Sequence, residues 1–167
     1  MLAAPMMPAP NAPYRLETRV KLSGVDNLHT YGLVFGGDWN GEECPNNDYS
    51  SCFNHYYRLL VIWYGASSKL RMSVKRIEYN DSGNIGRGTT IISSRDVNVN
   101  KPPRDWQNWA VEVRPNGSIK VFVNNNLVGS TTDTTYSDDF YFGTFSATNE
   151  YSGLKAEFDW VEAKVIP

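Results

Sequence analysis

The run Glu157-Phe158-Asp159-Trp160-Val161-Glu162 gathers three carboxylates within six residues near the C-terminal end of the chain. Retaining glycosidic hydrolysis needs two carboxyl groups about 5–5.5 Å apart, one acting as nucleophile and the other as acid and then base. A bulge in an extended strand would turn Glu157 and Glu162 to one face, with Asp159 between them. The competing reading is a structural closing strand. Other catalytic sets are harder to assemble, because Ser, His and Asp occur without a G-x-S-x-G elbow and phosphate-binding glycine loops are absent.

A second concentration of functional side chains lies at 38–49. Asp38, Trp39, Asn40, Glu42, Glu43, Asn46, Asn47, Asp48 and Tyr49 stand in a stretch without strand periodicity. Sugar recognition calls for this mixture, since aromatic rings stack on the C–H faces of pyranoses while carboxylates and amides pair with hydroxyls. Asp38, Trp39, Asn40 and Tyr49 are therefore candidate ligand contacts. The alternative is a solvated loop whose Trp39 folds back over the edge of the fold. The same oxygens would suit calcium, which takes six to eight of them, although no regular D-x-D-x-D-G spacing is present.

Cys44 and Cys52, the two cysteines of the chain, sit at and just beyond this loop. A local loop-closing disulfide accounts for them and would put the protein outside the reducing cytoplasm, secreted or at a cell surface. Half of a zinc site is the other option, but His29 and His55 lack the paired spacing of a finger.

Further along, residues 56–64 read Tyr-Tyr-Arg-Leu-Leu-Val-Ile-Trp-Tyr, apolar on both faces of an extended strand. Such a strand belongs in the middle of a sheet. Tyr56, Arg58 and Tyr64 share one face and are candidates for a binding platform, to which Arg71, Ser73 and Lys75 of the next strand would add if the register allows. Packing alone is the competing account.

The elements that must position these groups are all extended. Apolar and polar residues alternate over short runs, and no long run shows the three-and-four spacing of an amphipathic helix. Ten strands are predicted, at 14–22, 30–36, 55–64, 69–75, 89–93, 108–114, 118–123, 126–131, 140–146 and 154–166. Pro115-Asn116-Gly117 and Asn124-Asn125-Asn126 supply tight turns between neighbouring runs. Trp109, Val111, Val113, Ile119, Val121, Val123, Leu127 and Val128 are expected to line one inner face. Ten short strands so joined make a two-sheet antiparallel β-sandwich.

With 167 residues the chain suits one domain. Residues 1–13, with Pro5, Pro8, Pro10 and Pro13 among Ala and Met, read as a linker or fusion remnant leading into a domain at 14–167. A net charge of −2 with scattered basic residues argues against nucleic acid as a partner. No apolar run reaches the ~18–20 residues that a membrane-spanning helix requires. Asn80-Asp81-Ser82 and Asn116-Gly117-Ser118 match the N-glycosylation acceptor pattern, which matters only in a eukaryotic secretory host.

Several motifs, in order, resemble the concanavalin A-like lectin and glucanase superfamily, nearest to laminin G-like domains and the related domain of 3-keto-disaccharide hydrolases. They are Tyr14-Arg15-Leu16-Glu17, Tyr31-Gly32-Leu33-Val34-Phe35, Tyr56-Tyr57-Arg58-Leu59, the pair Trp109-Ala110-Val111-Glu112-Val113 and Gly117 to Asn124, then Gly143 and Phe158-Asp159-Trp160-Val161. Asn125 stands where the family usually has Gly, and Asn also tolerates positive φ. The resemblance implies an all-β jelly roll that often binds sugars on its concave face or in rim loops. Laminarinase-type enzymes of the superfamily share the acidic spacing but carry it mid-chain, whereas Glu157 to Glu162 lie in the last strand.

Three functions therefore follow as expectations. The first is a non-catalytic module that binds a glycan or polysaccharide. The second is a structural domain that self-associates or meets a surface protein, and the third is a glycosidase acting through Glu157 and Glu162.

Overall fold

In the first strand Tyr14, Leu16, Thr18, Val20 and Leu22 are buried while the residues between them are not. That period of two is what a strand with one covered face imposes on its side chains. The computed structural model describes residues 12–23, 28–39, 52–64, 69–79, 85–99, 104–136, 141–148 and 155–167. Ten strands follow one another among them: β1 Tyr14–Ser23, β2 Leu28–Trp39, β3 Phe53–Tyr64, β4 Lys69–Tyr79, β5 Ile85–Val97, β6 Gln107–Val113, β7 Ser118–Val123, β8 Asn126–Thr132, β9 Tyr141–Thr148 and β10 Lys155–Val165. Every predicted strand is present.

Two antiparallel sheets of five strands each are built from them, β10-β1-β6-β7-β8 and β5-β4-β3-β2-β9. β6 to β8 and β2 to β5 are meanders within a sheet, while the chain changes sheets after β1, β5, β8 and β9. Tyr31, Leu33, Phe35, Tyr57, Leu59, Val61, Met72 and Ile92 of the second sheet pack against Leu16, Val20, Trp109, Val111, Ile119 and Val121 of the first. Gly129 on β8 faces inward, where a Cβ would come within 2.8 Å of the Met72 methyl, so a larger residue there would require the Met72 side chain to move.

The inner-face expectation held for Trp109, Val111, Val113, Ile119, Val121 and Val123, and Val128 packs against them. Leu127 departs from it, with 56% of its surface exposed. The register of β7 on β8 slips between Val121 and Phe122, which sets Leu127 opposite Phe122 on the outer face. One inserted residue in a period of two reverses the facing of its side chain.

Turns and crossovers are pinned by specific contacts. Asn124 and Asn125 both have positive φ, 48° and 66°, as a two-residue turn twisted to match the strands requires. After β8, Asp133 accepts hydrogen bonds from the Tyr57 hydroxyl at 2.7 Å, from Arg76 Nη1 at 2.7 Å and from the Thr135 N–H at 2.9 Å. This ties the crossover to β3 and β4. Burial works to raise the Asp133 pKa, but the Thr135 and Tyr57 hydrogen bonds and the Arg76 charge outweigh it and hold the carboxyl below its ordinary range. At the other end of the chain, Tyr14 lies opposite Val165, and the Ile166 N–H donates to the Pro13 carbonyl at 2.9 Å.

Candidate functional site

A concavity with ligand-like walls lies away from the candidate residues of the sequence. It lies at one end of the first sheet, a pocket of about 620 Å³ formed where β1, β6 and β10 meet the β7–β8 turn and the segments on either side of residues 100–103. Arg19, Asn108 and Trp160 belong to one cross-strand row of the outer face. Trp106, just before β6, supplies a second indole, and Asn98, Asn124, Asn125 and Asn126 complete the polar wall. Both indoles are half-buried.

Cations hold Trp106 in place, since the Arg19 guanidinium and the Lys21 ammonium each lie 4.9 Å from the centre of its rings. Arg19 is itself fixed by Asp159 at 3.1 Å. The asparagine turn is anchored to β6: Asn124 Oδ1 accepts from the Asn108 N–H at 3.0 Å, and its Nδ2 donates to Gln107 Oε1 at 2.6 Å. The pocket thus has walls of flat apolar rings and amides, with Trp106 and Asn124 preset, the two surfaces that a pyranose presents partners for.

Trp160 belongs to the Phe158-Asp159-Trp160-Val161 motif, whereas Trp106 and Asn98 fall between the predicted strands. Trp106 follows Pro102 and Pro103 in a segment too short and irregular for a periodicity reading. Its position beside Arg19 and Lys21 depends on the pairing of β1 with β6, which local sequence does not encode.

On the second sheet, the outer face carries the predicted platform. The register is the supposed one, with Arg58 opposite Lys75, Leu60 opposite Ser73 and Ile62 opposite Arg71. Tyr56 is 2% exposed, packed with Val34, Phe53, Ile77 and Phe145 in a small second core, and its hydroxyl lies 2.9 Å from that of Tyr79. A ring so enclosed has no face left for stacking. Tyr64 is half-buried beneath the Arg71 guanidinium at 5.3 Å. Arg58 is half-buried, with its guanidinium 5.7 Å from the centre of the Phe145 ring.

Asp38 and Trp39, expected in a loop, instead end β2, where they pair with His55 and Phe53 of β3. Asp38 accepts from Asn54 Nδ2 at 2.7 Å, and Trp39 stays 37% exposed with its ring edge-on to Tyr141 at 5.3 Å. Asn40, Cys44 and Tyr49 lie outside the described residues. Cys52 is fully buried beside Phe53 in the second core, and no free cysteine occurs among the described residues. Nor do these residues bring three or more His, Cys, Asp or Glu together as a metal-binding group.

The acidic run has the bulge that was anticipated, with Asp159 as the extra residue between Phe158 and Trp160. Each carboxylate meets a cation, Glu157 with Lys21 at 2.9 Å, Asp159 with Arg19 at 3.1 Å and Glu162 with Lys164 at 3.4 Å. The hydrogen bond from Lys21, with that of Ser23, lowers the Glu157 pKa. A proton-donating acid needs the opposite shift.

No family model and no curated protein sequence matches the chain. Solved structures do. A carbohydrate binding module from Bacillus subtilis superposes with a TM-score of 0.60 at 14% identity, over 95% of this chain and 79% of that one. Sheep galectin-11 gives 0.54 at 10% identity, over 98% and 99%. The fold they share with this chain is a jelly-roll β-sandwich. The κ-carrageenase of Pseudoalteromonas carrageenovora, at a TM-score of 0.59 and 15% identity over 98% of this chain and 66% of its own, shows the same jelly roll in an enzyme. At such identities the likeness is one of architecture, and one architecture serves unrelated functions.

Proposed function

We propose that this jelly roll is a non-catalytic, glycan-binding module of a larger secreted protein, and that neutral sugar rings seat in the Trp106–Trp160 pocket. One observation carries the reading: two half-exposed indoles and a wall of asparagine side chains converge on a single concavity in which Trp106 and Asn124 are fixed by other contacts. Structural neighbours that include a carbohydrate binding module and a galectin support it. The motifs from Trp109 to Asn124 favour laminin G-like domains as its nearest kin. A stacked ring contributes about 1 kcal/mol, so affinity is modest and grows with the number of modules carried by the parent.

Asp38 and Trp39, with Asn40 and Tyr49, are the alternative locus, and calcium belongs to that alternative because its candidate oxygens fall in the same stretch of sequence. A panel of neutral and acidic polysaccharides, titrated calorimetrically with calcium and with chelator, separates the two. Trp106→Ala is expected to weaken binding about fivefold to tenfold, with Trp39→Ala and chelator leaving it unchanged. Loss in Trp39→Ala or on chelation would move the site to residues 38–49. Release of reducing ends that stops in Glu157→Gln would replace the binding reading with the hydrolase one.

A further inference from the structure

On the second sheet Lys69, Arg71 and Arg76 are matched with acids, and the exposed Arg95 donates to the Ser93 carbonyl. Arg71 and Lys69 share Asp96 at 2.9 and 3.1 Å, and Arg76 holds Asp133 at 2.7 Å. On the first sheet Arg15, Arg19 and Lys21 are paired in the same way. Arg58 and Lys75 differ. They are direct cross-strand partners on the outer face, both half-buried, and neither forms an ion pair with any described residue.

Like charges directly opposite on antiparallel strands repel and destabilise the pair. Arg58 adds a second unsatisfied term, because its Nε is buried without a hydrogen-bond acceptor. Its guanidinium lies over the Phe145 ring, which orients its donors. The Ser73 hydroxyl, two residues from Lys75 along the same strand, offers a polar group alongside. An anion with two oxygens offsets the repulsion, accepting N–H bonds from the guanidinium while neutralising Lys75.

We infer that the outer face of β3 and β4 is a second binding site, in which Arg58 and Lys75 take the carboxylate or sulfate of an acidic glycan. The choice of a glycan as bearer of the acid rests on the function proposed above. The anion site itself rests on the two unpaired cations. It lies on the opposite sheet from the Trp106 pocket, so the two are separable by experiment.

Binding is measured calorimetrically to alginate and polygalacturonate as uronates, to chondroitin sulfate as a sulfate ester, to laminarin and xylan as neutral chains, and to poly-glutamate as a non-sugar polyanion. Wild type is compared with Arg58→Gln, Lys75→Gln and the charge-matched control Arg95→Gln on β5. At least one acidic glycan is expected to bind, with about a tenfold or greater loss in Arg58→Gln and Lys75→Gln and none in Arg95→Gln. Which acidic arm binds decides between carboxylate and sulfate. Lys75→Gln, which removes a repulsion, is expected to melt no lower than wild type, so its loss of binding is not a loss of fold.

Equal binding by poly-glutamate would overturn the glycan assignment, and equal losses in Arg95→Gln would reduce the site to diffuse charge. Acidic chains that bind no better than neutral ones would overturn the anion site and leave the pocket reading standing. Acidic binding without any neutral binding would do the reverse.

Discussion

His29 shows what burial does to one titratable group. Its imidazole is enclosed on β2, with Nε2 3.0 Å from the Ser146 hydroxyl, and burial lowers its pKa. The folded state therefore favours neutral imidazole. The stability that depends on this is complete above the unfolded histidine pKa of about 6.5 and is lost as pH falls below it toward the depressed folded value. Denaturant midpoints of the wild type should decline through that window, and His29→Gln should flatten the decline. A slope unchanged by the substitution would place the acid sensitivity elsewhere. Asp133, whose pKa is also lowered, loses its share at more acid pH, as its carboxylate protonates. Neither residue announced its role: His29 was read only as a failed metal ligand, because burial comes from strands remote in sequence.

The β7–β8 hairpin puts a local rule to a sharper test. Asn124 combines positive φ with side-chain bonds to Asn108 and Gln107, whereas the Asn125 side chain accepts a single bond, from Arg15. Asn124→Ala should cost about 2 kcal/mol through strain and lost hydrogen bonds. Asn125→Gly should change stability by less than about 0.5 kcal/mol. Chemical denaturation of the two variants checks the asymmetry, and equal losses would contradict it. This turn was legible because Asn-rich segments between alternating runs carry their own conformational preference. The strands were legible for a similar reason, and β4 and β5 ran longer than foreseen only because pairing extends them past their clearest alternation. Leu127 was misassigned because a register slip is a property of two strands together. The Trp106–Trp160 pocket was hidden by the same circumstance on a larger scale, since its walls come from five separate parts of the chain.

For the molecule as a whole, the proposed Cys44–Cys52 bridge would fasten the segment that enters β3 to its own second core, where Cys52 and Phe53 are buried. Intact mass should rise by two hydrogens on reduction under unfolding conditions, and an unchanged mass would remove the bridge along with the argument it lends to secretion. The sandwich class itself was readable from alternation and turns. What neither could supply was the pairing of β1 with β10, the strands nearest the two ends of the described chain. That pairing has a mechanical consequence. Tyr14 and Val165 sit side by side at the same end of an antiparallel ladder, so a pull applied through flanking segments would load its hydrogen bonds one after another and not all at once. Under tension the module would open like a zip from Pro13 and Ile166 inward, releasing length at low force before its core is disturbed.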